Sequence, residues 1–245
     1  MRIDRFLAHH TGRTRKEATD LLRQRRVSVD GVMTRSASEH VNPETQTVSV
    51  DGVAVVWLAR RVLMLHKPAG VVTATHDDHD ATVIDLVPAA LRKGLVAIGR
   101  LDKDATGLLL LTDDGALVHA LTHPRRGVEK VYEIAWEGVL DDPAARFAAG
   151  VALGDGTRCR PAHFEALEPG RARVVVHEGR YHQVKRMIAA CGGQVTALHR
   201  AAVGGLALDP ELAPGEVRPL RDDELALLDR ASLSPEVPEP EATTP

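Results

Sequence analysis

Near the start of the chain, apolar residues recur at helical spacing. Ile3, Phe6 and Leu7 form one set, and Ala18, Leu21 and Leu22 form a second. Two short amphipathic helices are predicted. Thr14, followed three residues later by Glu17, has the form of a capping box that opens the second helix. The period then changes from helix to strand. Val27 and Val29 alternate with polar residues before Asp30-Gly31, and Val48 and Val50 do the same before Asp51-Gly52. Asp-Gly after such alternation signals a tight hairpin. Residues 1–52 therefore read as two helices feeding a small antiparallel sheet, with 53–60 as a linker.

Beyond it, 61–64 predicts a short strand, and Lys67-Pro68-Ala69-Gly70 a turn into a strand at 71–73. The continuous run Leu108–Leu111, bounded by Gly107 and Asp113-Asp114-Gly115, predicts a strand buried on both faces. Further strands are expected at 130–136 and 172–177, and helices at 142–149, 182–191 and 222–230. The second unit is thus expected to span 61–231. The Pro/Glu-rich tail, 232–245, has too few apolar residues to fold and is expected to be disordered.

The chain has 245 residues, 44% hydrophobic and 27% charged, which allows a sizeable core in one or two domains. Aromatic residues are only 3%, so aliphatic side chains must fill that core and each of the two tyrosines draws attention. The formal charge of −3 conceals an uneven distribution. Residues 1–35 carry nine Arg or Lys against Asp4, Glu17, Asp20 and Asp30, while the charges after Ser232 are all acidic. Local sign decides where a polyanion can dock. Cys159 and Cys191 form no CxxC pair, and two cysteines alone make no zinc site, so a reducing compartment is expected. The first residues contain no apolar signal core and 107–111 is too short to cross a bilayer, so a cytoplasmic protein without membrane contact is expected. His76-Asp77-Asp78-His79-Asp80 reads as a solvated loop, and no metal is expected there.

Chemistry concentrates in two segments. Gly99-Arg100-Leu101-Asp102-Lys103-Asp104-Ala105-Thr106-Gly107 is a polar loop between two glycines, pinned by the buried Leu run. Such a loop can hold one carboxylate at the edge of a cleft. On spacing alone, Asp102 or Asp104 merely capping a turn is the favoured reading. In the 182–191 helix, Val184, Met187, Ile188 and Cys191 form the buried stripe; Lys185 lies at its border and Arg186 nearly opposite. Arg180, His182, Lys185 and Arg186 crowd the helix N-terminus, where the dipole disfavours cations. Either this is an ordinary solvated basic face, or function maintains the conflict.

The segments HKPAG (66–70), GRLDKDATGLLLLTDDG (99–115), HPRRGVEKVYEI (123–134), EGRYHQVKRM (178–187), LHR (198–200) and APGEVRPL (213–220) run in one order along the chain. In them the sequence resembles the pseudouridine synthases, specifically the ribosomal small-subunit pseudouridine synthase A family. RIDRFLAHHTGRTRKEATDLLRQRRVSVDG (2–31) resembles an S4 RNA-binding domain. His66 departs locally, since many relatives have Asn there. The implied fold is α+β: a small S4-like domain, then a larger catalytic domain on a mixed, mostly antiparallel sheet. The resemblance places the catalytic aspartate on Asp102, the active-site tyrosine on Tyr132 and the basic partner of the aspartate on Lys185. Tyr132 would stack on an extruded uracil. Arg100 would fill the space that the flipped base leaves, and Lys130, Arg180 and Arg186 would meet phosphates. Arg13, Arg15, Lys16, Arg23, Arg25 and Arg26 would line the RNA face of the first domain.

The implied reaction breaks the N1–C1′ bond of uridine and rejoins the base through C5. It is redox-neutral, so no cofactor is expected, and neither GxGxxG nor a Walker A loop is present in the sequence. Asp102 would act as a nucleophile or remove a sugar proton; both routes stay open. Leu108 and Leu110 are candidates for an apolar wall that excludes water. The implied partner is small-subunit ribosomal RNA, with the protein a monomer. Large-subunit RNA is the near rival. A non-catalytic S4-type RNA-binding or assembly factor is the distant one, and it would not require Asp102, Tyr132 and Lys185 together.

Overall fold

The structure is a computed structural model that describes residues 1–57 and 60–233. It divides into two compact units, one of Met1–Arg61 with Val87–Leu95, the other of Val62–Leu86 with the residues from Val96 onward.

In the first unit, α1 (Ile3–His10) and α2 (Arg15–Arg23) precede an antiparallel sheet of β1 (Val27–Val29), β2 (Val32–Met33), β3 (Val48–Val50) and β4 (Val53–Ala54), in the order β2-β1-β3-β4. The sequence pattern accounts for the elements. Ile3, Phe6, Leu7, Ala18, Leu21 and Leu22 meet Val27, Val29, Val48 and Val50 in one core. Thr14 Oγ1 accepts from the Glu17 amide at 3.2 Å while Glu17 Oε2 accepts from the Thr14 amide at 2.7 Å, which is the capping box. Both Asp-Gly turns have positive φ at each central residue, Asp30 (50°) with Gly31 (81°) and Asp51 (53°) with Gly52 (80°). That geometry matches the twist of the strands they join.

Two segments differ from the expected boundaries. Val53–Ala54 pairs inside the small sheet instead of linking. Val87–Leu95 groups with the first unit because polar side chains tie it there. The buried Arg61 guanidinium donates to the carbonyls of Leu91 (3.4 Å) and Lys93, and Lys93 Nζ donates to Arg13 O at 2.9 Å.

The second unit is built on β5 (Val62–Lys67), β6 (Val96–Ile98), β7 (Thr106–Thr112), β8 (Lys130–Gly138), β9 (His163–Glu168), β10 (Arg171–Val176), β11 (Gly193–Val203), β12 (Leu206–Ala207) and β13 (Val217–Pro219). They form a sheet of order β13-β5-β7-β11-β8-β10-β9, with β6 beside β7 and β12 beside β11. Every pairing is antiparallel except β7 with β11, so the sheet is mixed and mostly antiparallel. The helices are α3 (Gly115–Thr122), α4 (Pro143–Ala149), α5 (Gln183–Ala190) and α6 (Asp222–Ser232).

β7 is buried on both faces from Gly107 to Thr112. Leu108 and Leu110 pack in a core with Val62, Met64, Leu117, Leu121 and Leu228. The strand expected at 71–73 is only a single bridge, Val72 to Thr82. α6 extends to Ser232, so position 232 is helical, and the expected tail from 234 on lies outside the described residues. Among the described residues no helix is long and apolar enough to cross a membrane.

A candidate active site around Asp102

The loop 99–105 leaves β6 and enters β7, and buried polar side chains fix its backbone from beneath. Lys67, fully buried at the end of β5, donates from Nζ to the carbonyls of Pro68 (3.0 Å), Lys103 (3.3 Å) and Ala105 (2.8 Å). Thr73 Oγ1 donates to Leu101 O at 2.7 Å and accepts from Leu101 N at 3.2 Å. Arg200 on β11 is 2% exposed; its Nε donates to Leu108 O at 2.8 Å and its Nη1 to Arg100 O at 3.3 Å. Gly107 allows β11 this close. With φ at 107°, a Cβ there would stand 2.3 Å from Arg200 O.

Held in this way, Asp102 projects into a cleft of about 840 Å³ lined also by Tyr132, Lys130, Arg100, Lys185 and Arg200. Lys185 Nζ lies 3.1 Å from Asp102 Oδ2 and His182 Nε2 lies 3.3 Å from Oδ1. The same ammonium binds both oxygens of Asp104, at 2.7 and 2.9 Å. Burial acts to lower the Lys185 pKa, but hydrogen bonds to Asp104 and Asp102 outweigh it and hold it above the ordinary lysine value. Hydrogen bonding to Lys185 likewise lowers the pKa of Asp104. Tyr132 is buried on β8, paired across the ladders with Arg200 and Val174.

The structure thus brings Asp102, Tyr132 and Lys185 to one cleft, with Arg100 exposed at its margin. Lys130 reaches the same cleft, but its Nζ is turned onto Val128 O at 2.9 Å instead of outward to a phosphate, and burial lowers its pKa to about 8. Arg180 is half exposed and bonds Glu178 at 3.1 Å. Arg186 pairs with Asp155 and does not line the cleft. Leu108 and Leu110 are in the core and do not line it either; Leu101, Val176, Val184 and Leu198 supply its apolar lining.

In the first unit, Arg15, Lys16, Arg23, Arg25 and Arg26 are exposed and Arg13 is half-buried. Arg26 holds Asp51 through two hydrogen bonds of 2.8 and 2.6 Å, and Arg23 meets Asp20 at 3.4 Å. The 76–80 segment is largely exposed, with Lys103 Nζ on Asp80 at 2.6 Å.

No sequence pattern marks Lys67, Thr73 or Arg200, and His182 stands in the sequence only as one cation of a crowded helix start. A lysine closing the apolar run Val62–Leu65 is the one local signal that could have pointed to the first of these.

Comparison with known proteins decides the family. A model described as RNA pseudouridylate synthase matches residues 61–190, and an S4 domain model matches residues 1–46. This chain belongs to the RNA pseudouridylate synthase family. It is similar to ribosomal small subunit pseudouridine synthase A of Escherichia coli K12, at 44% identity over 92% of this chain and 99% of that protein. To the protein of that name in Yersinia pestis it is 43% identical, over 92% and 97%. A solved pseudouridylate synthase superimposes with a TM-score of 0.65 at 37% identity, over 93% of this chain and 99% of the other. The enzyme is therefore an isomerase of RNA uridine with an N-terminal S4 domain.

Proposed function

We propose that this synthase converts one uridine of small-subunit ribosomal RNA to pseudouridine, with Asp102 as its essential group. The observation that carries the site assignment is the half-buried Asp102 carboxylate between Lys185 and His182, in the cleft that Tyr132 lines. The substrate assignment follows the relatives that match nearly the whole chain.

The target base leaves its stack and enters the cleft, where Tyr132 stacks on it. The N1–C1′ bond breaks as Asp102 either bonds to C1′ or removes a sugar proton. The freed uracil turns until C5 faces C1′, and the C5–C1′ bond forms as the Asp102 carboxylate leaves C1′ or, on the other route, as the sugar regains its proton; C5 then releases its proton and N1 takes one up. Product and substrate hold the same atoms. Leu101, Val176, Val184 and Leu198 keep water from the open sugar. Arg100 occupies the gap in the RNA stack, and Arg180 meets a flanking phosphate. Arg13, Arg15, Lys16, Arg23 and Arg25 of the first unit supply further phosphate contacts, a salt-sensitive grip on the RNA. The protein works as a monomer in the cytoplasm, where ribosomal RNA is assembled.

Mapping pseudouridine in ribosomal RNA from a strain lacking this chain tests the reading. One small-subunit mark should vanish, return with the wild-type gene and stay absent with Asp102→Asn, whose fold and RNA binding are retained. Loss of a large-subunit mark instead moves the substrate. Restoration by Asp102→Asn removes that residue from the mechanism.

A further inference from the structure

Immediately before α5, the rings of Tyr181 and His182 lie stacked, with centroids 3.8 Å apart and planes 20° from parallel. Both residues line the cleft. His182 ties this pair to the reacting centre through its 3.3 Å contact with Asp102. Its backbone is left-handed (φ 48°, ψ 35°), a conformation that non-glycine residues seldom adopt. The imidazole is thus locked between a carboxylate at its edge and a phenol ring on its face.

Tyr181 itself is 77% exposed. Among the described residues, every other Phe, Tyr and Trp is buried or half-buried, so this ring alone is left to solvent. An aromatic side chain held flat against a polar ring, with most of its surface uncovered, gains little from burial. A third ring laid on its open face would extend the stack at the spacing already present. Arg180 beside it, bonded to Glu178 but 42% exposed, and the exposed Arg100, which lines the same cleft, put positive charge within reach of a phosphate backbone. An exposed ring among arginines suits a single-stranded nucleobase and its phosphates.

We propose that the open face of Tyr181 is a stacking subsite for the nucleobase next to the target uridine, and that the Tyr181–His182 pair sets the distance from that neighbour to Asp102. This rests on the uridine-isomerase reading above and adds a recognition element to it.

The test uses the full chain and a transcribed small-subunit RNA segment that spans the mapped uridine. Loss of one base–aromatic stack corresponds to roughly 5- to 150-fold in affinity. Tyr181→Ala should raise KM by about that factor, with any fall in kcat smaller than the rise in KM, and Tyr181→Phe should restore KM. With the wild-type protein, making the 5′ or the 3′ neighbour abasic should raise KM similarly, and the same RNA should cost Tyr181→Ala nothing more. An unchanged KM in Tyr181→Ala, a fall in kcat alone, or abasic and protein effects that multiply would each overturn the subsite. The abasic arm needs no variant, so it decides even if Tyr181→Ala misfolds. Absence of wild-type turnover on intact RNA overturns the substrate assignment and this subsite with it. Retained turnover with an indifferent Tyr181 overturns the subsite alone.

Discussion

Replacing Lys67 with Met separates loop positioning from stability, because the competing terms nearly cancel in the folded protein. Burial lowers the Lys67 pKa from the ordinary 10.5 to about 8, so charging this amine in the fold costs roughly 3 kcal/mol relative to charging it in water. Methionine removes that cost. Against this, Pro68 O and Ala105 O lose their ammonium donor, at about 1–3 kcal/mol each, whereas Lys103 O keeps the Gly70 amide at 2.7 Å. The balance at pH 7 is within about 3 kcal/mol of zero. Turnover is another matter, since the three carbonyls fix the loop that carries Asp102, and displacement of a reacting group by ~1 Å can cost about 100-fold.

The pH dependence gives an independent reading. The unfolded chain holds the Lys67 proton up to its ordinary pKa while the folded chain releases it near 8, so stability rises with pH between about 8 and 10.5. Lys130, also lowered to about 8 by burial, adds a second contribution of the same sign. Each gives at most ~1.4 kcal/mol per pH unit. Denaturant unfolding of Lys67→Met at pH 7.5, 8.0 and 8.5, below the range in which the buried Cys159 and Cys191 thiols add a fall in stability with pH, should show a shallower rise than wild type, and single-turnover rates should fall by about 100-fold. A slope equal to wild type, or a rate within threefold of it, would refute the argument.

Lys185→Met removes the ammonium that holds Asp102 at 3.1 Å and should lower kcat by about 100-fold or more, with RNA affinity changed far less; a near-normal rate in a single-turnover assay would free Lys185 of this role. Gly107→Ala places a Cβ 2.3 Å from Arg200 O at a φ of 107°, so it should cost about 3 kcal/mol or more, read as a lower melting temperature. RNA affinity plotted against log salt should lose slope in Arg15→Gln/Lys16→Gln, by about one unit per phosphate contact removed; an unchanged slope would take those two residues off the RNA face.

What the sequence disclosed follows from how locally each feature is encoded. The two N-terminal helices, the Thr14–Glu17 cap and the Asp-Gly turns are written within a few consecutive residues, and the structure has them. β11 was not legible. Its register shifts at Val195/Ala197 and at Arg200/Ala202, and each bulge resets the two-residue alternation by which a strand is recognised. Leu108 and Leu110 were legible as buried but not as to which neighbours they face, because a strand buried on both sides carries no facial pattern. Lys67, Thr73 and Arg200 escaped for a different reason. They bond backbone carbonyls of a loop that lies 28 to 100 positions away, and a carbonyl has no residue-type signature. Asp102 and Lys185 were placed through motifs, and it is the structure that adds His182 and Asp104 to their contacts.

The two kinds of support under Asp102 differ in strength, and the difference suits the change of partners that the proposed mechanism asks of this side chain. Beneath the loop, the donors are buried and their acceptors are main-chain oxygens. In that setting an unmade hydrogen bond is expensive, so the backbone has one arrangement. Above it, Lys185 and Asp102 each keep 24% of their side-chain surface in solvent, His182 keeps 37% and Asp104 74%. The outermost carboxylate, Asp104, is open to solvent and screened by it, so an incoming RNA with its own charges can rearrange its pairing with Lys185 at low cost. Asp104 gives the Lys185 ammonium a second carboxylate, so in the proposed mechanism the cation keeps a partner when Asp102 turns toward the sugar. A rigid main chain below and exchangeable charges above let the fold fix where the carboxylate stands without fixing what it is bonded to.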